Sequence, residues 1–257
     1  MKLNQDGIKG NSGSTFASIN RSDIAKIQIP LPPLETQRQI VDEIAAHQRI
    51  IDGARQVVEG WKPEIEIDHD WKTGKVGEVC EIKSGGTPSK SKKEYWRNGN
   101  IPWYSSGELN DFYTKDSNSK ITELGLKNSN ATIFPKGSLL VGMYDTAAFK
   151  MSILDRDASF NQAICGIKPN RKIDLSFLYL YFLEMKEEYL KQRVGIRQRN
   201  LSKGFIEALE IPLPPLEVQR EIVARIESER KIVESNRELI RIYEEKVKKV
   251  IARVWEG

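Results

Sequence analysis

With 257 residues, 39% hydrophobic and 30% charged, and eleven prolines, the chain can hold one good core plus an accessory element, or two modest domains. It has no run of about 18 apolar residues that would read as a membrane span, and its opening MKLNQDGIKG lacks the apolar stretch of a signal peptide. The net charge of +4 permits nucleic-acid binding without demanding it, and the two distant cysteines, Cys80 and Cys165, form no metal-ligand pattern and read as reduced core thiols of a cytoplasmic protein.

Residues 1–28 are polar and rich in Gly and Ser, and read as the remnant end of a domain whose earlier part is missing. IPLPPLETQRQIVDEI follows at 29–44, and IPLPPLEVQREIVARI stands at 211–226, twelve of sixteen positions being identical. Such a repeat marks two equivalent structural units. In each copy a proline pair precedes a helix where a missing N–H costs little, and Glu35 or Glu217 lies in the first turn, where the helix dipole favours an anion.

The first helix is expected over Leu34–Trp61, with Ile40, Ile44, His47, Ile51, Ala54, Val58 and Trp61 at alternating spacings of four and three. His47 is read as packed in that seam rather than as a ligand. A domain is expected over 62–210. KVGEVCEIKSGG (75–86) alternates apolar and polar and reads as one strand entering a tight loop, with a short helical turn later at Lys93–Arg97. Further strands are expected at Ala131–Phe134, Ser138–Tyr144, Met151–Leu154 and Ala163–Ile167. A helix from Asp174 to about Arg193 turns Phe177, Leu178, Tyr181, Phe182, Met185 and Tyr189 to the core.

The second long helix, Leu216 to about Trp255, carries Ile226, Val233, Ile240, Val247 and Val254 every seven residues. Ile222, Glu229, Asn236, Tyr243 and Val250 interleave with them. Pairing the helices antiparallel brings the entry and exit of the intervening domain together. The fold class expected is α+β: a globular domain of mixed strands and helices plus a long two-helix antiparallel coiled coil, its distal helix within 211–257.

No phosphate loop, HExxH, clustered His/Cys or amino-methyltransferase motif is written in the chain. It reads as a binder, with no metal, cofactor or catalytic residue of its own. Two segments are locally basic. The first holds Lys83, Lys90, Lys92, Lys93 and Arg97 around Ser84, Gly85, Gly86 and Thr87, and leads to Trp103 and Tyr104. The second holds Lys191, Arg193, Arg197, Arg199 and Lys203 with no acid between. Cations and close-approaching glycine backbone suit a sugar–phosphate chain, and an arginine there could read guanine. Either cluster alone also suits a solvated loop; two in one domain favour nucleic acid. Trp103 and Tyr104 compete between stacking surface and core.

The doubled IPLPPLExQRxI, VGEVCEIKSGGTPS with YWRNGNIPW, FNQAICGIKP and GIRQRNLSKGFIEALEIP together resemble the specificity (S) subunits of Type I restriction–modification systems, across essentially the whole chain. The resemblance implies recognition domains that each read half of an interrupted double-stranded DNA site. It also implies conserved helices that bind methyltransferase subunits, with a restriction subunit joining the assembly. The methyl donor, S-adenosylmethionine, would belong to the partner. The chain resembles a half subunit with the second recognition domain alone, and two such chains are expected to self-associate through their helices. The competing reading is a coiled-coil adapter with a degenerate recognition domain.

Overall fold

The computed structural model describes residues 29–191 and 201–256, together with Arg21 and Ala25. The remainder of the expected remnant at 1–28 therefore lies outside the described residues. The chain divides into two compact units, one formed by the chain up to Lys62 with Glu229–Gly257, the other by Pro63–Ser228.

The first unit is a helix pair. α1 spans Leu34–Gly60, and the C-terminal helix Leu216–Glu256 contributes its residues from Glu229 onward. Contacts between the two run in opposite order along the chain. The Trp61 indole N–H donates to Glu229 at 3.0 Å, His47 meets the Tyr243 ring edge-on at 5.3 Å, and Arg253 holds Glu43 at 2.8 Å. The pair is antiparallel, as the repeat predicts. Each expected seam residue of α1 is buried or half-buried, and so are Val233, Ile240, Tyr243, Val247, Val250 and Val254 opposite them. The polar seam positions have partners. Glu229 accepts the Trp61 bond, while Asn236 donates back to the Ile232 carbonyl of its own helix at 2.9 Å.

Both helix starts share one local device, which explains the glutamine of the repeat. Gln37 donates its backbone N–H to the Pro33 carbonyl at 3.0 Å and its side-chain amide to Pro32 at 2.8 Å. Gln219 makes the same two bonds, to Pro215 at 3.0 Å and Pro214 at 2.8 Å. The Pro32 and Pro214 carbonyls stand one residue ahead of the first carbonyl the helix ladder uses, and the glutamine side chain supplies their partner.

The second unit holds nine short strands among the described residues: β1 Thr73–Lys75, β2 Ile82–Ser84, β3 Ile101–Tyr104, β4 Ser119–Ile121, β5 Leu139–Gly142, β6 Met151–Ile153, β7 Ser159–Phe160, β8 Ile164–Ile167 and β9 Glu210–Pro212. The helices are α2 Val76–Val79, α3 Glu123–Lys127, α4 Leu175–Lys191 and α5 Lys203–Ala208, before α6 begins at Leu216. They form a four-stranded sheet in the order β2-β8-β5-β6, a three-stranded sheet β4-β3-β7, and a two-stranded ribbon β1-β9 that closes the unit's entry onto its exit. A core of Tyr104, Leu109, Phe134, Leu140, Leu154, Ala158, Phe160 and Ile164 fills the space between strands. α4 packs on β5 and β6 through the expected Phe177, Leu178, Tyr181, Phe182 and Tyr189, all buried, with Met185 half-buried.

Three local expectations are corrected. Residues 75–86 are not one strand: Val76–Val79 is a single helical turn closed by Cys80 N–H to the Val76 carbonyl at 2.8 Å. Val76 and Cys80, four apart, are both buried, and over so short a run a period of four competes with a period of two. Ala131–Phe134 makes only a single bridge, Phe134 to Ala158, and the next amide on that side, Lys136 N–H, donates to the Asp157 side chain at 2.8 Å instead of extending it. No strand was expected between 87 and 130, yet β3 and β4 lie there. Pro102 disguised β3, yet it faces β4 alone, since the pairing with β7 starts at Trp103.

Candidate nucleic-acid interface

The registers bring one set of loops to one end of the two sheets. Ser84 and Val141 both lie opposite Cys165, and Gly142 lies opposite Ile164. Tyr104 runs parallel beside Phe160. The loops that leave β2, β3 and β5, and the turn joining β7 to β8, therefore emerge together. Backbone bonds lace them: Gly85 N–H to Ile164 (3.1 Å), Gly86 to Phe160 (2.9 Å), Asn161 to Tyr104 (2.9 Å), Met143 to Ala163 (2.9 Å) and Leu201 to Met143 (2.7 Å). Phe149 helps fix the β5–β6 loop from a left-handed backbone (φ 54°), its ring stacked on Tyr189 at 5.4 Å.

Several predicted contact residues turn out to be structural. Gly85 and Gly86 are buried, and their amides are spent on the bonds just named. A Cβ at Gly85 would meet the Phe160 carbonyl at 2.2 Å, and one at Gly86 the Asn130 backbone at 2.3 Å. They let chain segments pass each other, not a nucleic acid. Tyr104 is 2% exposed, its hydroxyl donating to the Lys115 carbonyl at 2.7 Å, so it belongs to the core. Trp103 is 6% exposed and donates its indole N–H to the Gly86 carbonyl at 2.9 Å, which excludes base stacking on its faces. Of the two readings open for these rings, the sheets that cover them decide for core.

The basic residues divide. Lys83 is exposed but shares Glu81 with Lys168, at 3.1 and 2.8 Å, and these two ammonium partners hold the Glu81 carboxyl below its usual range. Lys92 lies on Tyr95, 2.9 Å from its hydroxyl and over its ring, and the hydroxyl raises the ammonium pKa. Lys203 pairs with Glu207 on α5. Its neighbour Cys165 is pushed up to about 12 by burial, against a smaller opposing pull from the Lys203 charge. Lys191 is exposed at the end of α4, while Arg193, Arg197 and Arg199 lie outside the described residues. Ser84 is exposed, and the half-buried Thr87 donates to Gln162 at 2.5 Å.

Lys90, Lys93 and Arg97 form the distinctive group. They are exposed, have no ion-pair partner among the described residues, and line one concavity with Trp96, Trp103 and Ser119. The turn that carries them is rigid. Arg97 N–H closes on Lys93 at 2.8 Å, and the Thr122 N–H and hydroxyl hold the Tyr95 and Glu94 carbonyls, each at 2.9 Å. Residue reasoning missed Gln162 and Tyr144, which are exposed at the same end. Only the register of β8 and β5 places them there, although the FNQ of FNQAICGIKP was in view.

The family model for the Type I restriction modification DNA specificity domain matches residues 1–59 and 68–241. The chain belongs to that family. It is similar to the Type I restriction enzyme MjaIX specificity subunit of Methanocaldococcus jannaschii, 31% identical over 63% of this chain and 40% of that subunit. The MjaVIII specificity subunit of the same organism is 25% identical over 100% of this chain and 68% of its own length. The EcoR124I/EcoR124II specificity subunit of Escherichia coli is 26% identical over 62% of this chain and 40% of that subunit. The chain thus spans well under two thirds of the length of some relatives it matches. The crystal structure of the HsdS subunit from Thermoanaerobacter tengcongensis shares the fold, with a TM-score of 0.54 at 20% identity over 96% of this chain and 66% of that one. Among the described residues of this chain no His, Cys, Asp and Glu cluster could hold a metal ion, and no helix is long and apolar enough to cross a membrane.

Proposed function

We propose that this chain is a non-catalytic specificity subunit whose unit Pro63–Ser228 reads one half of a bipartite double-stranded DNA target. Its antiparallel helix pair docks a methyltransferase subunit, and a restriction subunit joins that assembly. The observation that carries the DNA reading is the hydrogen-bonded turn presenting Lys90, Lys93 and Arg97 without carboxylate partners among the described residues, in a chain whose family model is a DNA specificity domain. Docking is supported by Val41, Ile50, Val57, Ile232 and Ile242, which stay exposed outside the seam although the helices have already paired. Such residues suit a partner's apolar surface. The S-adenosylmethionine would bind to that partner, which leaves this chain the task of choosing the sequence.

The test is selection from a randomised duplex pool by the full chain together with its methyltransferase, followed by mobility-shift assays on the winners. Enrichment of a defined half-site is expected, and light scattering on the same sample reports the stoichiometry, including self-association. If no sequence is enriched while the methyltransferase still binds the helices, the chain is an adapter and the reading fails.

A further inference from the structure

The concavity beside β3 has a one-sided chemistry. It is lined by Lys90, Lys93, Arg97 and Ser119 together with Trp96 and Trp103. The two indoles meet edge to face, 5.0 Å apart at 87°. Each has its N–H turned away to a backbone carbonyl, Trp96 to Ser89 at 3.2 Å and Trp103 to Gly86 at 2.9 Å. They offer a ligand apolar wall and no hydrogen bond. The lining side chains are thus almost all donors, with no carboxylate or amide oxygen. Most base edges in a major groove present a donor, or a methyl group, beside an acceptor, whereas a phosphodiester presents acceptors only. The apolar wall also excludes water on one side, which strengthens each charge-assisted bond. The site measures 490 Å³, room for a phosphate with its sugar.

We infer that this concavity is a phosphate seat: Lys90, Lys93 and Arg97 grip a backbone phosphate of the bound DNA and fix its register without reading its sequence. The inference rests on the DNA reading above and assigns a specific task to this site. Lys92, occupied by Tyr95, takes no part. Because the turn is bolted to β4 and α3 through Thr122, the seat is formed before DNA arrives.

The experiment compares the full chain, complexed with its methyltransferase, with Lys90→Gln, Lys93→Gln and Arg97→Gln singly and combined. Each complex is titrated with salt on the selected duplex and on a scrambled one. Each phosphate contact contributes roughly 0.9 to the slope of log affinity against log salt. With one phosphate seated, the triple variant should lose about one unit of slope, and weaken on both duplexes by the same factor, with its selected sequence unchanged. A changed selected sequence would show that Arg97 reads a guanine and would overturn the seat. An unchanged slope would overturn it too. If the wild type binds salt-dependently but selects no sequence, the specificity reading fails, while the slope comparison still decides the seat. Adenosine monophosphate quenching tryptophan fluorescence in wild type but not in the triple variant, with the DNA slopes equal, would assign the pocket to a free nucleotide and overturn the seat.

Discussion

The Gln219 amide joins two segments of the recognition unit: its oxygen accepts the Asp174 N–H at 2.7 Å while its nitrogen donates to the Pro214 carbonyl at 2.8 Å. The side chain is fully buried. A glutamine of the repeat thus orders both its own helix start and the beginning of α4, where Asp174 in turn accepts the Ser176 N–H.

Gln219→Ala would leave a buried N–H and a buried carbonyl unpartnered, at a cost of about 1–3 kcal/mol. Gln37→Ala, half-buried and with one side-chain bond, should cost less than half as much. Urea midpoints of the two variants measure the difference, and equal midpoints would contradict the assigned role of Gln219.

The two copies of the repeat also differ in burial. Ile211 is 1% exposed on β9, whereas Ile29 is 62% exposed. Ile211→Ala should therefore destabilise by about 2–5 kcal/mol, and Ile29→Ala by no more than about 0.5 kcal/mol. Thermal melts on the two single variants test this.

At the β6–β7 turn, Asp155 accepts the Thr114 hydroxyl at 2.8 Å and the Arg156 guanidinium at 2.7 Å. Burial pushes its carboxyl up, but the bonds from Arg156 and Thr114 outweigh burial and hold it below the ordinary 3.8. The unfolded chain is then protonated first as pH falls. The stabilisation is complete above the ordinary value and is lost as pH drops through the folded one. Asp155→Asn should lower the urea midpoint at about pH 6, with the gap from wild type closing toward about pH 3. A gap that widens in acid would show the sign to be wrong.

Cys165 has no exposed surface, and burial pushes its thiol up to about 12. Cys80 is also raised, by burial first, against a bond from Asn170. Reactivity needs thiolate and access, so neither should be alkylated by iodoacetamide at about pH 8 in the native chain, and both should be in denaturant. Mass spectrometry of labelled peptides reads the outcome; rapid native labelling at Cys165 would refute the burial.

Long periodic elements were legible because many residues vote for the same face. The seam through Ile40, Ile51 and Val58, and its counterpart through Val233 and Val247, needed no tertiary information. Short elements were not, since three or four residues cannot distinguish one helical turn from a strand, as at Val76–Val79. At the site, charge was legible but its neutralisation was not. Nothing near Lys83 in the chain reveals Lys168 competing for Glu81, and nothing near Gly86 reveals the Asn130 backbone against it. Those facts belong to the sheet order. The same order turned Tyr104 inward and brought Gln162 out.

In β9 the bonds run from odd-numbered residues. Val76 donates to Leu209 and Leu213 donates to Lys72, so Pro212 and Pro214 occupy the side away from β1. A proline has no N–H, and the far side of that strand therefore cannot recruit a further one. IPLPP is a sheet terminator with a single usable edge. The first copy, whose Ile29 and Leu31 stand bare, inherits the same grammar. With Pro30, Pro32 and Pro33 offering no N–H, this bare segment is a poor template for the open-ended pairing by which exposed strand edges grow into fibres.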